Sequence, residues 1–289
     1  MKRLAFLLTL LSVFASACTS DEAPSSPPAL PIDTTAGVTY PVPYRFNAPD
    51  TAFAFPGSLR EISGLTALGE GHLGAIQDEE GILFTLDRQT GRVQGERRFA
   101  EDGDYEGIEQ VGEAVWVLKS NGALYEVNDS TSARSPSEAV NTALHDGCDA
   151  EGLAYEAARN RLLIACKERP GRRLGNVRAI YSFDLDTRSL DEEPAFLLNR
   201  GALNSEGQPF KPAALSIHPR TGQIFIISSV RKALAVLDPD GALVTVVDLP
   251  DRLFVQPEGL TFFPDGTLFI ANESRRGAAT LLRFNEQTP

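Results

Sequence analysis

Three glutamates in this 289-residue chain, Glu106, Glu151 and Glu258, stand directly before Gly-Ile or Gly-Leu, and each has a polar residue two positions earlier: Asp104, Asp149 and Gln256. Glu61 and Ser63 repeat the pattern ahead of Gly64. Residues two apart on a β-strand project to one side, so each phrase presents two oxygen-bearing side chains together. A second row follows at similar distances. Asp78 comes 15 residues after Ser63, Glu273 comes 15 after Glu258, and Glu168 comes 17 after Glu151. The second repeat offers Lys119 or Ser120 there, and the fourth offers Ser228.

Carboxylates brought close together must keep protons, pair with bases or share a cation. Calcium accepts roughly six to eight oxygen ligands in flexible geometry, which suits a ring of carboxylates, hydroxyls and carbonyls. The expected ligand set is Glu61, Asp78, Asp104, Glu106, Asp149, Glu151, Glu168, Glu258 and Glu273, with the ion off-centre because the fourth repeat carries Lys211 and Ala213. The alternative is that Lys119, Lys167, Arg169 and Lys211 neutralise the ring and no metal binds. Zinc is a poorer fit: His72, His145 and His218 are scattered, without metal or triad spacing, and suggest surface or turn roles. No Gly-x-Ser-x-Gly elbow or Walker loop is present.

The elements that must position these acids repeat. Ser63-Gly64-Leu65, Glu106-Gly107-Ile108, Glu151-Gly152-Leu153, Ala213-Ala214-Leu215 and Glu258-Gly259-Leu260 recur at intervals of 43 to 45 residues, with one longer interval before Ala214. Each opens a series of short runs rich in Val, Ile, Leu and Phe, bounded by Gly, Asp or Pro, which read as strands. Four strands per unit of about 44 residues is the arithmetic of a β-propeller blade. The fold class is therefore all-β: a five-bladed propeller of four-stranded antiparallel blades over residues 39–289. Its inner strands should line a central channel. The last blade has three strands at the C-terminus, and Thr39 to Phe46 is expected to supply its fourth. Asp238-Pro-Asp-Gly241 reads as a turn and Trp116 as core between blades.

The phrases Arg60-Glu-Ile-Ser-Gly-Leu65, Asp104-Tyr-Glu-Gly-Ile108, Asp149-Ala-Glu-Gly-Leu-Ala-Tyr155, Gln256-Pro-Glu-Gly-Leu260 and Pro264-Asp-Gly-Thr-Leu-Phe-Ile-Ala-Asn-Glu273 resemble the SdiA-regulated family of bacterial envelope propellers. The resemblance implies a five-bladed propeller distantly akin to NHL-repeat proteins, a calcium site and no established enzymatic activity.

The N-terminus bears on location. Lys2 and Arg3 precede an apolar run from Leu4 to Ala17 that is too short to span a bilayer. It ends Ala15-Ser16-Ala17-Cys18, which resembles a bacterial lipobox, so residues 1–17 read as a lipoprotein signal peptide and Cys18 as the lipidated residue. Thr19 and Ser20 follow Cys18 with no aspartate in the second position, so the resemblance implies sorting to the outer membrane, most naturally facing the periplasm. Residues 18–38, with Pro24, Pro27, Pro28 and Pro31, read as a flexible tether. In an oxidising compartment Cys148 and Cys166 could form a disulfide or remain two buried thiols.

With 27 Lys and Arg against 39 Asp and Glu, the net charge of −12 disfavours nucleic acid and anionic lipid as partners. Two functions remain. One is a tethered calcium-binding module that engages an unknown periplasmic or extracellular protein or small ligand. The other is a calcium-dependent hydrolase of phosphoesters or lactones, with Glu106 or Glu151 as base and Lys119, Lys167, Arg169, Arg172, Arg173 and Arg275 available for an anionic substrate.

Overall fold

The computed structural model describes residues 41–287, apart from 129–130, 132–133, 145–146, 172–173, 206 and 275. The expected signal peptide, Cys18 and the tether lie outside the described residues. Five antiparallel sheets of four strands form a ring, with an additional two-residue strand in the third. The innermost strands are Ile62–Leu68, Tyr105–Val111, Ala150–Glu156, Ala214–Ile217 and Pro257–Phe262, each packed against the inner strand on either side. The protein is a five-bladed β-propeller.

The apolar residues explain why the blades close into a ring. Each of the five buried clusters joins two neighbouring blades. Trp116 and Leu118 of blade two meet Leu153 and Leu162 of blade three, while Ile76 and Leu83 of blade one meet Tyr105 and Ile108 of blade two. A blade's sheet is thus buried on both faces, which is why its central strands read as nearly continuous apolar runs, such as Ile224–Ser228 and Ala233–Leu237. Polar residues gather in the outer strands, as in Val93–Arg98.

Three sequence expectations need correction. The closing strand is Thr51–Ala54, paired antiparallel with Thr280–Phe284 through Thr51 to Arg283 and Ala54 to Thr280. The described residues of the expected strand, 41–46, form bends and turns instead. Pro41 and Pro43 have no N–H to give to a ladder. The segment contributes by burial: Tyr44 and Phe46 are sealed in the cluster between blades four and five, and the Tyr44 hydroxyl donates to the Gly266 carbonyl at 2.8 Å. His218 joins that closure. It is buried, its Nε2 lies 3.0 Å from the Tyr44 hydroxyl, and its Nδ1 accepts from the Thr221 N–H at 3.3 Å, so it holds a turn but not a surface position.

The third correction concerns the axis, which is filled. Leu65, Ile108, Leu153, Leu215 and Leu260, the residues after the motif glycines, are buried and close around a central void of only about 10 Å³, room for at most one water. Leu65, Ile108, Leu153 and Leu215 each press on the motif glycine of the preceding blade. A Cβ on Gly107 would stand 2.8 Å from the Leu153 Cβ, and one on Gly152 would stand 2.5 Å from the Leu215 Cδ2. The glycines are there because a neighbouring side chain occupies the space a Cβ needs.

Candidate functional site at the acidic mouth

A β-bulge places the motif acids. In blade two the register runs Tyr105 opposite Lys119 and then Gly107 opposite Leu118, which leaves Glu106 as the extra residue. Glu151 is extra between Ala150 and Gly152, Glu258 between Pro257 and Gly259, and Ser63 between Ile62 and Gly64. A bulge leaves one residue unpaired and re-aims its side chain. Blade four has no such irregularity in its inner pairing, and Ala213, the residue at the matching place, donates its N–H to the Ile227 carbonyl. Blade four, with alanine where the other four carry an oxygen-bearing side chain, is the one whose inner pairing has no bulge.

Above the apolar plug the acids interact in two groups. Around blades two and three, burial first and then Glu151 and Asp104 push the Glu106 carboxyl far above the usual range. Glu151 is only 3% exposed, and burial raises it too, although Lys167 pulls it back. The Lys167 ammonium donates to Glu151. Burial pulls that ammonium down, but Glu151, Glu258 and Asp149 more than offset this and hold it above the normal lysine value. Lys167 is therefore an internal cation for this half of the mouth.

The other half, at blades five and one, has no such lysine. Burial lifts Asp78 to about 6, and Glu61, Glu273 and Glu79 all push in the same direction. Its Oδ1 is buried without a hydrogen-bond donor among the described residues. Gln256 links the halves: its amide donates to Glu258 at 3.2 Å and also to Glu273. Glu258 is raised to about 7, chiefly by burial, with Lys167 and Gln256 opposing. Arg60 approaches Glu61 at 3.8 Å, but its side chain is half exposed and screened by water.

Two candidates stand apart from these groups. Glu168 is one residue beyond the level expected of it: Lys167 makes the equivalent backbone bond, and Glu168 pairs with Lys211. Ser63 donates to the Tyr105 carbonyl at 2.6 Å and so ties blades one and two together. Asp104 is exposed at the rim, within hydrogen-bonding reach of Glu106. Among the described residues no three His, Cys, Asp or Glu side chains are gathered tightly enough to hold a metal as they stand. Arg172, Arg173, Arg275 and His145 lie outside the described residues.

The family model for SdiA-regulated proteins matches residues 44–276, which include all five inner-strand phrases. The chain belongs to the SdiA-regulated family. No curated protein matches its sequence. Solved structures share the propeller fold with this SdiA-regulated protein at low identity. Glutaminyl cyclase of Myxococcus xanthus is 16% identical with a TM-score of 0.55, over 81% of this chain and 95% of that one. The PQQ-bound aldose sugar dehydrogenase of Streptomyces coelicolor is 11% identical with a TM-score of 0.51, over 82% and 99%. A Bacteroides caccae protein of unknown function is 12% identical with a TM-score of 0.43, over 70% of this chain and 65% of that chain's length. At these identities the likeness concerns the fold alone, and a propeller does not specify a chemistry.

One feature of the SdiA-regulated protein's site went unread in its sequence: Gln256 acts as a bridge between two carboxylates, although its place two before Glu258 was a signal. Of the two states the sequence left open for Cys148 and Cys166, the structure has the disulfide, a staple beneath Lys167. Cys148 and Cys166 are bonded, with Cα atoms 4.8 Å apart, and the Lys167 N–H donates to the Asp149 carbonyl at 2.9 Å beside them.

Proposed function

We propose that this SdiA-regulated protein is a lipid-anchored calcium-binding module, held on the periplasmic side of the outer membrane, that works by binding a partner and not by catalysis. One observation carries the calcium reading: among the described residues the buried Asp78 Oδ1 has no donor and stands among acids that repel one another with no buried base beside them. Glu61, Asp78 and Glu273 would hold the ion, with Glu258 adjoining through Gln256. Their hard oxygens suit calcium better than a thiophilic metal. When bound, the ion supplies positive charge where the described residues offer only the half-exposed Arg60, drawing together strand ends from blades one and five. The anchor reading rests on Ala15-Ser16-Ala17-Cys18.

Calorimetry and thermal melting of the purified protein test the ion. Calcium at 100 times its dissociation constant adds about 2.7 kcal/mol, which should raise Tm by roughly 5–10 °C at this chain size. The Asp78→Asn, Glu273→Gln double variant should lose that shift. No heat and no shift in the wild type would sink the calcium reading. Calcium-dependent turnover of lactones or phosphoesters, removed by a chelator, would overturn the binding-only role. Cys18→Ala should move the protein from the membrane to the soluble fraction, and continued membrane association would sink the anchor.

A further inference from the structure

A cleft of about 920 Å³ opens between blade two and the start of blade three, away from the axial acids. Lys119, Asn121 and Tyr125 form one wall, Asn141 and Leu144 the connecting segment, and Arg169 the opposite side. In a chain with 39 acids against 27 bases, no carboxylate lines this cleft among the described residues. Its two charged groups are cations, and neither forms an ion pair among the described residues. The amides add to the bias. The Asn121 oxygen accepts from the Ala123 N–H at 3.0 Å, and the Asn141 oxygen accepts from the Ala143 N–H at 2.9 Å. Their NH₂ groups remain to donate. Lys and Arg side chains can only donate. The cleft thus offers hydrogen-bond donors beside apolar surface from Leu144, Ala139 and the Tyr125 ring.

The walls are held in place before any ligand arrives. The Arg169 N–H donates to the Gly147 carbonyl at 2.8 Å, next to the Cys148–Cys166 bond. The Lys119 N–H donates to the Ala123 carbonyl at 2.9 Å, and its ammonium lies 5.0 Å over the Tyr105 ring. Thr142 Oγ1 donates to the Gly122 carbonyl at 2.8 Å and ties the segment that carries Asn141 and Leu144 to the turn after Lys119. Preorganised donors lose little entropy on binding, and the volume falls in the range of small-molecule sites.

We infer that this cleft binds a small organic acid, with its anionic head between Lys119 and Arg169 and its apolar body against Tyr125 and Leu144. The site is separate from the proposed calcium site and stands or falls independently of it.

The probe is 8-anilinonaphthalene-1-sulfonate, whose fluorescence should rise saturably at one site per chain. N-acetylphenylalanine should displace it, and the uncharged N-acetylphenylalanine amide should need at least about tenfold more. The Lys119→Gln, Arg169→Gln double variant should weaken probe binding at least about tenfold, whereas Asp78→Asn should leave it unchanged. Equal competition by acid and amide, or wild-type binding by the double variant, would overturn charge recognition. Equal competition by inorganic phosphate would overturn the apolar subsite. A readout free of variants uses acetylation of Lys119 by an N-hydroxysuccinimide ester: N-acetylphenylalanine should protect this lysine, and an unchanged rate would overturn the assignment.

Discussion

The backbone N–H of Lys167 donates to the Asp149 carbonyl at 2.9 Å, the same bond by which Asp78 reaches Glu61 in blade one and Glu273 reaches Gln256 in blade five. Blade three therefore carries an ammonium where blades one and five carry carboxylates. That one exchange divides the mouth into a half with its own cation and a half without one.

Removing Lys167 should expose what it neutralises. In Lys167→Met, Glu151 and Glu258 lose their shared cation while remaining buried. The Lys167 side chain keeps 29% exposure, which tempers the loss, so about 2–3 kcal/mol is expected, somewhat below the value for breaking a fully buried pair. Urea unfolding at pH 8 measures it. A midpoint unchanged from wild type would mean that Lys167 is not the internal counter-ion.

Acidity should stabilise the chelated protein over a defined window. Asp78 and Glu258 have folded values raised to about 6 and about 7, so their neutral forms are favoured by folding. Their contribution is full below the unfolded carboxyl value and is lost as pH rises through 6 and 7. Buried His218, whose value is lowered, acts oppositely: its contribution is present above roughly 6.5 and is lost as pH falls. With chelator present, Tm should fall between pH 6.5 and pH 8, and Glu258→Gln should lessen that decline, with Glu151, raised to about 8, carrying part of the remainder. A rise over the same interval would contradict the raised carboxyls.

The Cys148–Cys166 bond closes a segment of sequence separation 18 beneath Lys167 and Arg169. A loop of this size restrains the unfolded chain by roughly 3 kcal/mol. The Cys148→Ser, Cys166→Ser double variant should therefore melt lower by about 6–12 °C. An equal Tm with and without reductant in the wild type would argue against the bond.

Axial packing gives the sharpest steric test. Gly152→Ala puts a methyl 2.5 Å from the Leu215 Cδ2 and 3.0 Å from its backbone nitrogen. Overpacking of this kind costs about 1–3 kcal/mol. Gly57→Ala meets nothing within 4 Å and serves as the neutral control. Equal midpoints for the two variants in urea would show that the blades do not meet at Gly152.

Much of this protein follows from local pattern. Apolar runs such as Ala233–Leu237, followed by turn residues such as Asp238 and Gly241, define strands and their count because neighbouring residues decide both. The repeated Glu-Gly-Leu phrases likewise marked the inner strands and brought the acids to one end of the ring. Tertiary structure decided the rest. A bulge shifts pairing by one residue, and a strand shifted by one turns its side chains to the opposite face. Spacing along the chain therefore could not tell whether Lys167 or Glu168 would face the mouth, nor that Glu106 and Ser63 would stand outside the ladder. Thr51–Ala54 became the closing strand in place of 39–46 because its partner, Thr280–Phe284, lies at the far end of the chain. Leu153 and Leu215 fill the axis because each meets a glycine of another blade. Register and packing between distant segments depend on which surfaces meet, and that is fixed only once the ring closes.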